Sequence, residues 1–163
     1  MSATDDLIKN SEHYAKGFDK GELPAPPAKK VAVLACMDAR LNPYGLLGLA
    51  EGDAHVIRNA GGVVTEDGIR SLAISQRLLG TEEIVLIHHT DCGMRTFDDE
   101  GFKRQLEDET GIEPEWPAES CDDLEEDVRE SIARIQASPF IPQKGSVRGF
   151  VYEVETGELR EVG

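Results

Sequence analysis

Apolar residues arrive along this chain in two kinds of run. The first kind is short and continuous: VAVLAC from Val31 to Cys36, AHVIRN from Ala54 to Asn59, and EEIVLIHH from Glu82 to His89. A strand with one covered face alternates apolar and polar residues, so a continuous run predicts a strand covered on both faces, as in parallel sheets. The second kind is spaced by three or four residues. Ile69, Leu72, Ala73 and Leu79 form the inner stripe of a helix that Thr65 can cap, with Glu66 and Asp67 in its first turn and Gly80 at its end. Leu124, Val128, Ile132 and Ile135 do the same for a helix from about Asp122 to Gln136, with Ser120 and Asp123 placed as a capping pair and Pro139 just past its end. Pro43 can start a short helix over YGLLGL.

Strand, helix, strand, helix, strand, joined by helix-length connections, predicts right-handed βαβ units. The fold class is therefore α/β, with a central, mostly parallel sheet and flanking helices. At the end of the chain, VRGFVYEVETGELREV reads as a strand, a Thr-Gly turn and a short second strand. At its start, Leu7, Ser11, Tyr14 and Phe18 lie at helical spacing, and GELPAPPAKK then breaks any helix with three prolines. Residues 1–30 are thus expected to be an N-terminal helical arm and linker on a single domain spanning 1–163.

Composition narrows the partners. The chain has 163 residues, enough for one domain with a proper core, and 17 Lys+Arg against 32 Asp+Glu give a formal charge of −15. Such a field repels phosphate backbones and anionic lipid surfaces, so neither nucleic acid nor a membrane is an expected partner. The acidic clusters at Asp98 to Glu100, Glu107 to Glu109 and Asp122 to Asp127 read as solvated helix faces without catalytic duty. MSATDDLIKN carries an acidic pair where a secretory signal carries basic residues, and eighteen consecutive apolar residues occur nowhere. A cytoplasmic protein is expected, in which three cysteines stay thiols free for metal or catalysis.

HHTDCGM, His88 to Met94, spends two of four histidines just before one of those cysteines. In a parallel sheet, the ends of the first and third strands share the carboxyl edge, where ligands bind. Cys36, one of the two histidines and Cys92 then converge as a Cys₂His donor set, which suits Zn²⁺ and leaves a fourth tetrahedral position open. The spacing of His89 and Cys92 lets one tight turn bring both to a single ion, with Gly93 free to adopt a conformation that other residues resist. Other readings stand beside this one. Cys36 can be a small buried hydrophobe and His88 a core residue, or the zinc can be structural and closed, with Asp38, Cys121 or His88 as fourth donor. The chain lacks the paired Cys-x₂₋₄-Cys knuckles of structural sites and any CxxC for redox work. Gly61 and Gly62 can bring a backbone N–H close to an oxygen-bearing substrate, or can simply serve a tight strand-to-helix turn. Cys121, His13 and His55 belong to no motif.

ACMDAR (Ala35 to Arg40), VIRNAGG (Val56 to Gly62) and HHTDCG (His88 to Gly93) occur in this order. They resemble the Cys-x-Asp-x-Arg, Arg-Asn-Ala-Gly and His-x₂-Cys-Gly blocks of the β-class carbonic anhydrases, and the shortness of the chain resembles their small actinobacterial members. The resemblance runs from the arm to the last strand, with Gly62 a departure from the usual second block. It implies the β-carbonic anhydrase fold, one zinc per chain on Cys36, His89 and Cys92, and a dyad of Asp38 and Arg40 beside the metal. The implied reaction is reversible hydration of CO₂ to bicarbonate and a proton, with zinc lowering the pKa of its water from about 16 towards roughly 7. Asp38 would orient that water, while Arg40 keeps Asp38 charged and turned away from the zinc. Relatives with the same ligands hydrolyse carbonyl sulfide or carbon disulfide, which is the alternative activity, and a non-catalytic zinc module is a third. β-class enzymes are at least dimers whose arm reaches the neighbouring subunit, which implies a homodimer or homotetramer.

Overall fold

The continuous apolar runs form β1 (Val31–Cys36), β2 (Ala54–Asn59) and β3 (Glu83–His89) in a computed structural model that describes residues 2–163. With β4 (Val147–Tyr152) and β5 (Leu159–Val162), they build a five-stranded sheet in the order β2-β1-β3-β4-β5 among the described residues. The first four are parallel and β5 pairs antiparallel to β4. The chain enters at β1, steps outward to β2, then crosses back to lay β3 on the other side of β1. Winding therefore reverses between β1 and β3, and a crevice opens at their carboxyl ends. Cys36 is the last residue of β1 and His89 the last of β3.

Strand alternation sorts the two layers of the core. Ala32, Leu34, Ile84 and Leu86 pack with Val64, Leu72 and Ile135 under α3 (Glu66–Leu79) and α5 (Leu124–Ala137). Val33, Ala35 and Ile87 turn the other way, towards Leu41, Met94, Cys36 and Cys92. Because successive side chains of a strand point to opposite faces, the neighbours His88 and His89 part company. His88 meets Asp127 of α5, and His89 meets Cys36. α3 begins as its sequence predicts, with Thr65 Oγ1 accepting the Gly68 N–H at 3.1 Å. α2 (Pro43–Leu47) starts on Pro43, behind an Asn42 cap.

Two expectations are corrected, the start of α5 and the setting of Asp127, and one helix is added. α5 begins at Leu124, and Asp123 alone caps it by accepting the Glu125 and Glu126 N–H groups. Ser120 gives its N–H to Asp99 at 2.7 Å instead. A further helix, α4 (Asp99–Thr110), covers two of the acidic clusters; Phe102 and Leu106 are its only apolar residues, so a helical period scarcely shows against the charge. Asp127 is not solvated: its side chain is 12% exposed, with Oδ2 2.7 Å from His88 Nε2.

The arm contrasts with all of this. α1 (Ala3–Lys16) opens with a capping box of Ser2 and Asp5 and buries none of its residues. Leu7, Ile8, Tyr14 and, past the helix end, Phe18 are exposed. Tyr14 and Lys20 reach across to Glu51. Among the described residues, no helix is long and apolar enough to cross a membrane.

Candidate metal centre

β1 and β3 lie side by side, so their ends bring Cys36 and His89 into contact, and the turn after β3 folds Cys92 back onto both. The donor atoms of Cys36, His89 and Cys92 all lie within 4.8 Å of one another, and all three residues are buried. His89 Nε2 sits 3.1 Å from Cys36 Sγ. Its other nitrogen, Nδ1, is 2.7 Å from the Thr90 carbonyl. A carbonyl can only accept, so Nδ1 carries the hydrogen and Nε2 faces the sulfurs.

The two thiols share a proton unequally. Hydrogen bonding from Cys92 draws Cys36 below the ordinary thiol range, and the same contact, together with burial, drives Cys92 above it. The backbone N–H groups of Asp38 and Gly61 also favour the Cys36 thiolate. Burial opposes charge on His89, but the Cys36 sulfur, the Thr90 carbonyl and Asp38 together hold its pKa above the usual value. Two buried sulfurs and an imidazole nitrogen, with the second nitrogen committed to a carbonyl, fit the donor chemistry and orientation that Zn²⁺ requires.

Asp38 stands at the rim. Its Oδ2 is 3.6 Å from His89 Nε2, yet both carboxylate oxygens are taken by Arg40, Oδ1 from Nε at 3.0 Å and Oδ2 from Nη2 at 2.9 Å. This guanidinium keeps the Asp38 carboxyl well below the usual carboxylate range, and Asp38, then Asp91, raise Arg40 in turn. Arg40 also donates from Nη1 to Asp91 Oδ2 at 2.8 Å and from Nη2 to the Asp91 carbonyl at 3.0 Å. Beneath the same loop, Arg58 donates to the carbonyls of Cys36, Asp38 and Leu41. Asp91 and Arg58 have no role legible in the sequence, because their partners are far along the chain.

The glycines of the second block have packing duties. A Cβ on Gly62, at φ +70°, would stand 2.8 Å from both the Cys36 nitrogen and the Ile87 carbonyl oxygen, so the turn passes against the central strands where no side chain fits. Gly61, at φ +85°, lies against Met94 and directs its N–H to Cys36. Of the remaining candidates, Cys121 is buried outside the donor group, its thiol pushed up to about 11 by burial. His55 bonds Ser75 on the β2–α3 side, and His13 is exposed on α1. On the far side of Met94, a hollow of about 490 Å³ is lined by Met94, Phe97, Phe102 and Trp116 together with the charged Arg58, Asp67 and Glu119.

Comparison with known proteins finds similarity over nearly the whole chain. The family model described as carbonic anhydrase matches residues 31–159. Beta-carbonic anhydrase 1 of Mycobacterium tuberculosis is 62% identical over 162 residues, 99% of each chain. A solved carbonic anhydrase from Streptococcus mutans, 46% identical, superposes with a TM-score of 0.92 over 100% of this chain and 99% of that one. A carbon disulfide hydrolase from Acidithiobacillus thiooxidans is 32% identical over 180 residues, covering 98% of this chain and 90% of its own.

Proposed function

This chain belongs to the β-class carbonic anhydrases, and from that premise we propose that it catalyses CO₂ + H₂O ⇌ HCO₃⁻ + H⁺ at a zinc centre formed by Cys36, His89 and Cys92. One observation carries the proposal: three buried donors converge while the neighbouring carboxylate, Asp38, is held by two bonds to Arg40. Zn²⁺ in that donor set supplies a Lewis acid that makes water nucleophilic near neutral pH. Asp38, kept ionised by Arg40, accepts a hydrogen bond from the reacting water and turns its lone pair towards the carbon of CO₂. Arg40 holds Asp38 at the rim. Gly61 supports the Cys36 thiolate through its N–H, and Gly62 lets the turn close behind it.

The same proposal covers the rest of the molecule. Residues 1–163 act as one domain with 1–30 as arm and linker, and the exposed apolar face of α1 packs on a second copy to give a homodimer or a homotetramer. Three free cysteines suit the reducing cytosol.

The second reading, hydrolysis of CS₂ or COS, has the carbon disulfide hydrolases at 32–36% identity in its favour, about half the identity to the mycobacterial carbonic anhydrase. Stopped-flow CO₂ hydration measured beside COS and CS₂ hydrolysis on the zinc-loaded protein separates the two. Fast CO₂ turnover is expected. Hydrolysis of CS₂ without CO₂ turnover would reverse the assignment, and inactivity on all three would leave a structural zinc.

A further inference from the structure

Asp91 lies between two of the proposed ligands and belongs to neither the donor set nor the dyad. Its backbone has φ 52°, the left-handed region that side chains rarely occupy and that Asp tolerates better than most. A residue strained at such a point needs a compensating contact, and Arg40 provides one.

Counting the guanidinium hydrogens shows how that contact works. Arg40 has five N–H bonds in a rigid plane. Nε–H and one Nη2–H meet the two oxygens of Asp38. The second Nη2–H meets the Asp91 carbonyl, and one Nη1–H meets the Asp91 carboxylate. One edge of the plane therefore faces Asp38 and the adjoining edge faces Asp91, so fixing the second edge fixes the first. Arg40 is otherwise free to swing, with 48% of its side chain exposed. Its reach also ties the loop after β1, which carries Asp38, to the turn after β3, which carries Cys92.

We propose that Asp91 is a positioning residue that locks the Arg40 plane in register with Asp38 and so keeps the Asp38 carboxylate off the metal. The proposal rests on the zinc and dyad reading above. Asp91 touches neither substrate nor metal in this role and acts through Arg40 alone.

The test uses the full chain loaded with zinc, as wild type, Asp91→Gly, Asp91→Asn, Arg40→Ala and the double variant Arg40→Ala/Asp91→Gly. Glycine is chosen because it accepts φ 52° without strain, so the turn keeps its shape. Zinc content, CO₂ hydration and the thiocyanate affinity of the Co²⁺-loaded forms by visible absorption are measured for each.

Asp91→Gly is expected to keep its zinc and to lose about two- to fivefold in both kcat/KM and thiocyanate affinity, because released Asp38 competes for the open position; that is the scale of one exposed ion pair, Asp91 having 77% of its side chain exposed. Asp91→Asn, which keeps an acceptor, should lose less. In the Arg40→Ala background the Asp91 change should do nothing further, since a residue that acts through another has no effect once that other is gone. Wild-type values in Asp91→Gly beside a crippled Arg40→Ala would overturn the inference alone, as would an equal loss in both backgrounds. Full activity in Arg40→Ala, or a wild type without zinc, would overturn the dyad reading and the inference with it.

Discussion

The carboxyl edge of the sheet and the N-terminal arm are built on opposite terms. At the edge, every candidate group answers to several others: Cys36 to Cys92, His89, Asp38 and Gly61, and the loop after it to three carbonyl bonds from Arg58. Along the arm, α1 buries nothing, and its apolar side chains face outward, Tyr14 meeting the ring of Phe18 at a tilt with centroids 5.7 Å apart. A site satisfied within its own chain can be precise. An apolar face unsatisfied within its own chain is a surface for association.

The sharpest break of that contrast is loss of a donor. Cys36→Ser, His89→Ala or Cys92→Ser should each lose the zinc and lower CO₂ hydration by roughly 10³-fold or more, whereas Cys121→Ser should keep both. Metal analysis beside stopped-flow rates decides it, and zinc retained by Cys36→Ser would move the site elsewhere.

Next in size is a single methyl group placed in each region. Gly62→Ala sets a Cβ against the backbone of β1 and β3 at positive φ, and should cost about 2–4 kcal/mol in urea unfolding, from strain and overpacking together. Gly17→Ala, at the end of α1 with φ −107° and open space around it, should change stability by less than about 1 kcal/mol, and in the favourable direction. Similar costs at the two positions would erase the contrast.

A smaller effect belongs to the wall beside the centre. Asp99 at the start of α4 accepts N–H bonds from Glu119 and Ser120; burial opposes its charge, but those bonds outweigh it and hold its carboxyl below the usual range. A carboxyl whose folded pKa is depressed stabilises the fold above its unfolded value near 4, and that contribution fades as pH falls through the folded value. Asp99→Asn should therefore cost about 1 kcal/mol at pH 7, and the gap from wild type should close below about pH 4. A gap that widens in acid would reverse the sign.

The least effect on the centre should come from removing residues 1–22. Zinc content should stay at the wild-type level while the mass by light scattering falls to that of a single chain. An unchanged mass would mean that the arm does not hold copies together.

The parts of this molecule that were legible in sequence are those whose signal is local. VAVLAC and EEIVLIHH are covered on both faces and say so in six to eight letters, and their ends deliver Cys36 and His89 to one edge by topology alone. What escaped depends on residues distant in sequence. Asp127 looks like one more solvated acid until His88, 39 residues earlier, is laid beneath it. Asp91 becomes a partner only when Arg40, 51 residues earlier, swings across. The need for glycine at 62 is set by the backbones of β1 and β3, which no pattern around it reveals. α4 was masked by its own charge.

The crossing that lays β3 beside β1 also sets a timetable. Cys36 and His89 are 53 residues apart in the chain, and their meeting requires the central parallel pair, a non-local closure of the slow kind. On a ribosome adding 5–20 residues per second, Cys36 is made roughly 3–10 s before its imidazole partner exists. During that interval it is a lone thiol on an unfinished chain. Capture of a metal at the proposed centre would thus come late in biogenesis, gated by sheet closure.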